Sequence, residues 1–239
     1  MTNMHVRRRA GGFTLVELLV VIAIIAALAG LATPAILRAK KSADLTEATN
    51  NLRNLGVFMF AFEDEFGSFP SQQIREENQE RFQNASGGDN SNDLLGLLIA
   101  GGITNSEEIF YAKGGTRRNK KPDNVINSPA KILEAGECGF GYVMLSGDEA
   151  MSTSDNGGRP LVVAPLDPGS QGGDDPNFNE TPYNGRAVYL RIDNSVKQNQ
   201  IGTSSNQGKV LLPGGKTLFE TGEDTVWDTD ATPDVKAPK

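Results

Sequence analysis

The sequence predicts an α+β protein in which a long N-terminal α-helix packs its second half on a small antiparallel β-sheet. Three observations carry this. An apolar run of 25 residues, 13–37, is long enough to cross a hydrocarbon core of roughly 30 Å as a helix. Beyond it Leu45, Ala48, Leu52, Leu55, Met59, Phe62 and Phe66 recur at spacings of three and four, the pattern of a helix with one buried face. The second half of the chain offers short β-prone runs separated by glycine, proline, asparagine and aspartate. These divide the chain into a membrane helix over 13–37, an amphipathic helix over 38–66 and an α+β domain with long loops over 67–239.

The apolar run follows Arg7, Arg8 and Arg9 and contains one acid, Glu17. A carboxylate at the centre of a membrane helix costs roughly 2.5–3.5 kcal/mol on insertion scales, so Glu17 requires a partner. The residues Gly12-Phe13-Thr14-Leu15-Val16-Glu17 resemble the processing and methylation site of type IV prepilins and type II secretion pseudopilins. The resemblance implies a pilin-like fold and a prepilin peptidase that cuts between Gly12 and Phe13, removing a leader over 1–12. It further implies methylation of the new Phe13 amine and a role for Glu17 in assembly. Cleavage there sets an α-amino cation one helical turn from Glu17. In a helical stack the amine of one subunit can then neutralise the glutamate of a neighbour and fix the axial register.

Competing readings of the same segment exist. A secretory signal peptide would use Arg7 to Arg9 as its n-region, Leu18 to Ile25 as its h-region and Ala27-Leu28-Ala29 as its cleavage site. It leaves Leu31, Ala35, Ile36 and Leu37 beyond the cut and gives Glu17 no purpose. A twin-arginine signal and a plain single-pass anchor are the other two; in the first, Ala10-Gly11-Gly12 intervenes before the apolar residues.

Net charge is −7, and loss of the three leader arginines takes it to −10, which argues against a nucleic-acid surface. Arginines on the N-terminal side of the apolar run follow the positive-inside rule, so the N-terminus is expected in the cytoplasm and the bulk of the chain in the periplasm or outside the cell. The resemblance implies a single pass of the inner membrane with a periplasmic domain, or assembly into a pilus or pseudopilus. The lone cysteine, Cys138, excludes an intramolecular disulfide and reads as a small buried residue. Many type IV pilins close a C-terminal loop with a disulfide, so its absence favours the pseudopilin side of the resemblance. The only histidine, His5, lies in the leader. Imidazole-dependent triads and histidine zinc sites are thereby excluded from the processed chain, and no enzymatic activity is expected.

Gly30 and Pro34 predict a kink or a locally melted turn near the far membrane boundary, because proline removes a backbone donor and crowds the preceding turn. Arg38, Lys40 and Lys41 mark emergence from the apolar phase. A helix from Phe13 to Glu65 would be roughly 80 Å long. Gly67 and Pro70 stop it, and Glu65-Phe66-Gly67-Ser68-Phe69-Pro70 resembles the helix exit of major pseudopilins.

Within the domain, Asp93 to Ala100 reads as a short buried helix and Ser106-Glu107-Glu108 as the start of another, its acids suiting a helix N-terminus. Arg117, Arg118, Lys120 and Lys121 form the basic cluster outside the leader, either a solvated loop or a docking patch for an acidic partner. Strands are expected at Phe140–Leu145, Leu161–Leu166, Ala187–Ile192 and Lys209–Leu212, with loops between them too polar to bury. The C-terminal segment groups Glu220, Glu223, Asp224, Asp228 and Asp230 around Gly222 and Trp227. Major pseudopilins stabilise a C-terminal loop with calcium, so the resemblance implies a structural calcium there; a solvated acidic tail with Trp227 packed on the sheet is the alternative.

The resemblance implies a structural subunit of a type IV pilus or type II secretion pseudopilus. Its partners would be further pilin subunits, prepilin peptidase and an inner-membrane assembly platform, with no specific nucleic acid. A membrane-anchored or secreted periplasmic binding domain that does not polymerise is the alternative.

Overall fold

A computed structural model describes residues 14–114, 119–170, 172–229 and 231–239. The chain divides into two compact units, 1–40 and 41–239. Helix α1, Leu15–Phe66, supplies residues to both. In the first unit every described residue is exposed, including the whole apolar series from Leu15 to Leu37. The helix is unbroken through Gly30 and Pro34, so no turn melts there. Proline deletes a single backbone donor, and the Thr33 hydroxyl donates to the Ala29 carbonyl at 2.7 Å in the same stretch.

In the second unit α1 buries Leu45, Ala48, Leu52, Leu55, Met59 and Phe62, as the periodicity predicts, together with Thr49 and Gly56. Phe66 is half-buried, its ring 4.5 Å from Phe62 and 5.1 Å from Phe82. Gly67 then takes φ +89°, a conformation open to glycine without strain, and the chain turns. Helix α2, Gln72–Glu77, starts at Ser71, whose hydroxyl accepts from Ile74 N at 3.1 Å. The segment expected as one buried helix is two short ones, α3 at Ser91–Leu95 and α4 at Leu97–Ala100, meeting at Gly96. After Ser106 no α-helix forms. A 3₁₀ turn over Glu108–Phe110 follows, because Glu107 is drawn into the interior instead of capping solvent-exposed amides.

Six strands form one antiparallel sheet: β1 Gly141–Leu145, β2 Pro160–Ala164, β3 Gly172–Gly173, β4 Arg186–Arg191, β5 Val196–Gln200 and β6 Pro233–Lys236, in the order β3-β6-β1-β2-β4-β5. Three of the four expected runs correspond to β1, β2 and β4. The fourth, Lys209–Leu212, makes only isolated bridges, Val210 with Ile201 and Leu211 with Thr217. Its extension stops where Leu212 N donates to Lys216 O at 2.8 Å across a turn containing Gly214 and Gly215. Strand β5 is a polar edge strand, and β6 is only four residues long, burying Pro233 and Val235 between the half-buried Asp234 and Lys236.

One core joins the sheet to the helices. Phe140, Tyr142, Val162, Val188 and Leu190 are buried in the same cluster as the α1 stripe, Leu94 to Leu98, and Trp227. Tyr142 Oη donates to Pro70 O at 2.9 Å, and Gln198 Nε2 donates to Thr49 Oγ1 at 2.9 Å, fixing β1 and β5 to the α1 end of the domain. The result is the α+β architecture expected from the sequence, with a long apolar helix and an antiparallel sheet.

Candidate functional site

Of the processing residues, Gly12 and Phe13 lie outside the described residues. Thr14 and Glu17 do not. Helix α1 begins at Leu15, so Thr14 is its N-cap and Glu17 its third residue. Thr14 Oγ1 accepts from Glu17 N at 3.3 Å, and Glu17 Oε2 accepts from Thr14 N at 2.9 Å and from the Thr14 hydroxyl at 2.7 Å. This is a capping box, in which cap and carboxylate satisfy each other's orphan amides. The Thr-x-x-Glu spacing carries that signal in the sequence, and the reading of Glu17 as an isolated charge passed over it. A carboxylate at a helix N-terminus also suits the positive end of the helix dipole.

The other expected features are placed as follows. Cys138 is buried, its Sγ donating to Phe140 O at 3.5 Å, and burial pushes its thiol up to about 11. In the basic cluster Arg117 and Arg118 lie outside the described residues. Lys120 is engaged by acids of its own chain: its Nζ pairs with Glu134, with Glu137 Oε1 at 2.8 Å and with Asp123 at 3.4 Å. Its charge thus already serves the fold.

In the C-terminal segment Trp227 is fully buried, its Nε1 donating to Leu218 O at 2.9 Å. Glu220 accepts from Thr217 N at 3.0 Å, and Gly222 pairs with Asp228 across an isolated bridge. Asp230 lies outside the described residues. Among the described residues, Glu220, Glu223, Asp224 and Asp228 do not form a group of three carboxylates able to share one ion.

Such a group exists elsewhere. Glu107 and Glu137 are fully buried and lie with Asp123 in a cluster whose three ligand oxygens are all within 4.8 Å of one another. Glu107 Oε1 accepts from Leu133 N at 2.9 Å, and Glu137 Oε2 accepts from Glu134 N at 2.7 Å. Burial pushes the Glu107 carboxyl above the usual carboxylate range, the Leu133 amide opposes this, and the charge of Glu137 adds to it. Sequence reading missed this cluster, because its members are 14 to 30 positions apart and no local pattern joins them.

An exposed apolar helix led by a threonine–glutamate cap, together with a six-stranded antiparallel sheet, gives a pilin-like α+β fold. Residues 7–33 match the family model described as the prokaryotic N-terminal methylation motif. Over 66 residues of its N-terminal part the chain is 44% identical to the type IV wide pilus major component PilA4 of Thermus thermophilus, a stretch covering 28% of this chain and 50% of that protein. The chain thus spans about half the length of the curated relative it matches. No solved structure matches. Motif and relative support a type IV pilin or pseudopilin, and so a structural subunit of a pilus or pseudopilus. The apolar helix, the one described helix long and apolar enough to cross a membrane, supports membrane anchoring or pilus assembly.

Proposed function

We propose that the chain is a prepilin-type subunit that polymerises through its N-terminal helix into a type IV pilus or a type II secretion pseudopilus. Prepilin peptidase cuts between Gly12 and Phe13, and Phe13 is N-methylated. Before assembly the subunit crosses the inner membrane once, N-terminus in the cytoplasm and domain in the periplasm, and an inner-membrane assembly platform draws it into the filament. It acts mechanically, without catalysis and without binding specific nucleic acid. Gly30 and Pro34 allow the helix to flex as subunits pack.

The observation that carries this reading is Glu17, the single charge in a mostly apolar, exposed helical stretch from Leu15 to Leu37. Such a surface needs lipid or other copies of itself to cover it. In a stack, the Phe13 amine of one subunit reaches the Glu17 carboxylate of another, which neutralises both at membrane depth. Mass spectrometry of the native N-terminus tests the reading. The expected species begins at methyl-Phe13; a chain beginning at Met1, or at Gly30 after signal-peptidase cleavage, refutes it.

A further inference from the structure

We propose that Glu107, Asp123 and Glu137 bind one hard divalent cation of calcium's size, and that this ion ties the loop over 119–139 to the domain core. The inference rests on geometry and charge, and stands whether or not the chain polymerises.

One carboxylate oxygen from each residue lies within 4.8 Å of the other two. Calcium binds oxygens at about 2.3–2.6 Å, so ligands sharing one ion are separated by up to about 5 Å. The two buried glutamates are pre-positioned. Each spends one oxygen on a backbone amide, Glu107 Oε1 on Leu133 and Glu137 Oε2 on Glu134. The second oxygen of Glu107, Oε2, is left without a hydrogen-bond partner, while Glu137 Oε1 faces Lys120 Nζ at 2.8 Å. Asn124 Oδ1, accepting from Glu107 N at 2.8 Å, holds the glutamate backbone from the opposite side. Asp123 is exposed, so the cluster opens to solvent through it, leaving an entry path and room for water to complete the coordination sphere.

The decisive atom is Glu107 Oε2. It is buried without a hydrogen-bond partner, on a residue with 0% of its surface exposed. A carboxylate oxygen in that position is costly unless a cation meets it. Lys120 does not supply that cation: its Nζ contacts Glu134, Glu137 and Asp123, and no ion pair with Glu107 is present among the described residues. At Glu137 Oε1 the ammonium stands at ion-pair distance, 2.8 Å, but outside hydrogen-bond geometry. Among the described residues the four acids Glu107, Asp123, Glu134 and Glu137 face the two ammonium groups of Lys120 and Lys131. The excess of two negative charges matches one divalent ion.

Thermal unfolding of the full chain in detergent micelles, followed by Trp227 fluorescence, tests the proposal with calcium alone as the probe against a chelator. At calcium a hundredfold above Kd the midpoint should rise by roughly 5–10 °C. Glu107→Gln keeps the side chain's shape and should abolish the rise. Asp123→Asn keeps the acceptor for Val125 N, leaves the fold intact, and should weaken calcium binding about tenfold or more in titration calorimetry. An unchanged midpoint in the native chain overturns the proposal. So does an equal rise in Glu107→Gln, or a rise abolished instead by Asp224→Asn, which moves the ion to the C-terminal segment.

Discussion

Thr14 and Glu17 hold each other at the start of the long helix: Glu17 Oε2 takes both the backbone N–H and the hydroxyl of Thr14, and Thr14 Oγ1 takes the Glu17 N–H in return. In a single subunit, therefore, the carboxylate is already bound before any neighbour arrives. Thr14→Val keeps the carboxylate and loses the cap. Amide hydrogen exchange over residues 15–18 should speed up roughly fivefold, while filaments still form. Glu17→Val should insert normally and yield no sedimentable filament. Equal loss of filament in both variants would mean that helix capping, not charge pairing between subunits, is what assembly requires.

The Arg159 guanidinium lies over the Trp227 ring, 5.5 Å from its centroid, while Nε donates to Val226 O at 3.0 Å and Nη1 pairs with Asp155 at 3.0 Å. Lysine cannot reproduce that fork. Arg159→Lys should lower the unfolding free energy by about 2–3 kcal/mol in denaturant titration. Because Trp227 is the sole tryptophan and is fully buried, its emission should be blue-shifted in the native state and move red in a single transition.

Gly139 passes so close to the preceding loop that a β-carbon would meet Ala112 O at 1.7 Å. Backbone cannot yield as a side-chain tip can. Gly139→Ala should cost about 3 kcal/mol and lower the melting midpoint by roughly 6–12 °C. At Gly87, where a β-carbon meets nothing within 4 Å, the same change should stay within about 0.5 kcal/mol.

The Cys138 thiol, held up to about 11 by burial, keeps its proton in the folded chain across a range where the unfolded thiol loses it. Unfolding therefore releases a proton between pH 9 and 11, and stability falls as pH rises through that window, by at most about 1.4 kcal/mol per pH unit from this group. The slope should be shallower in Cys138→Ala. At pH 8 the native thiol should resist a disulfide reagent that modifies the denatured chain at once; rapid reaction of the native protein would contradict its burial.

The long helix was legible because burial on one face imposes a 3.6-residue period, and the residues that obey it, Leu45 through Phe62, are the ones the core contains. Gly67 marked the stop for an equally local reason. Strands β5 and β6 were not legible. Val196–Gln200 is polar and mostly exposed at an edge, and Pro233–Lys236 takes its place from pairing with Tyr142 to Leu145, nearly a hundred positions away. Glu107 was misread on the same ground. Its sequence neighbours suggest a helix N-terminus, whereas Asn124, Leu133 and Glu137 decide its environment. Local chemistry reveals caps and stripes; the fate of a charge drawn inward depends on partners that only the fold brings near.

Strand β6 occupies an interior place in the sheet, between β1 and the two-residue β3, and Val235 on it is buried. During synthesis the ribosome delivers the apolar helix first, whereas β1, which can pair with β2 early, lacks its second neighbour until residue 236 has been added. On the proposed function, membrane insertion thus has a long head start over completion of the domain, and a nascent chain stalled short of residue 233 would leave a tethered, unfinished sheet for proteolysis to clear.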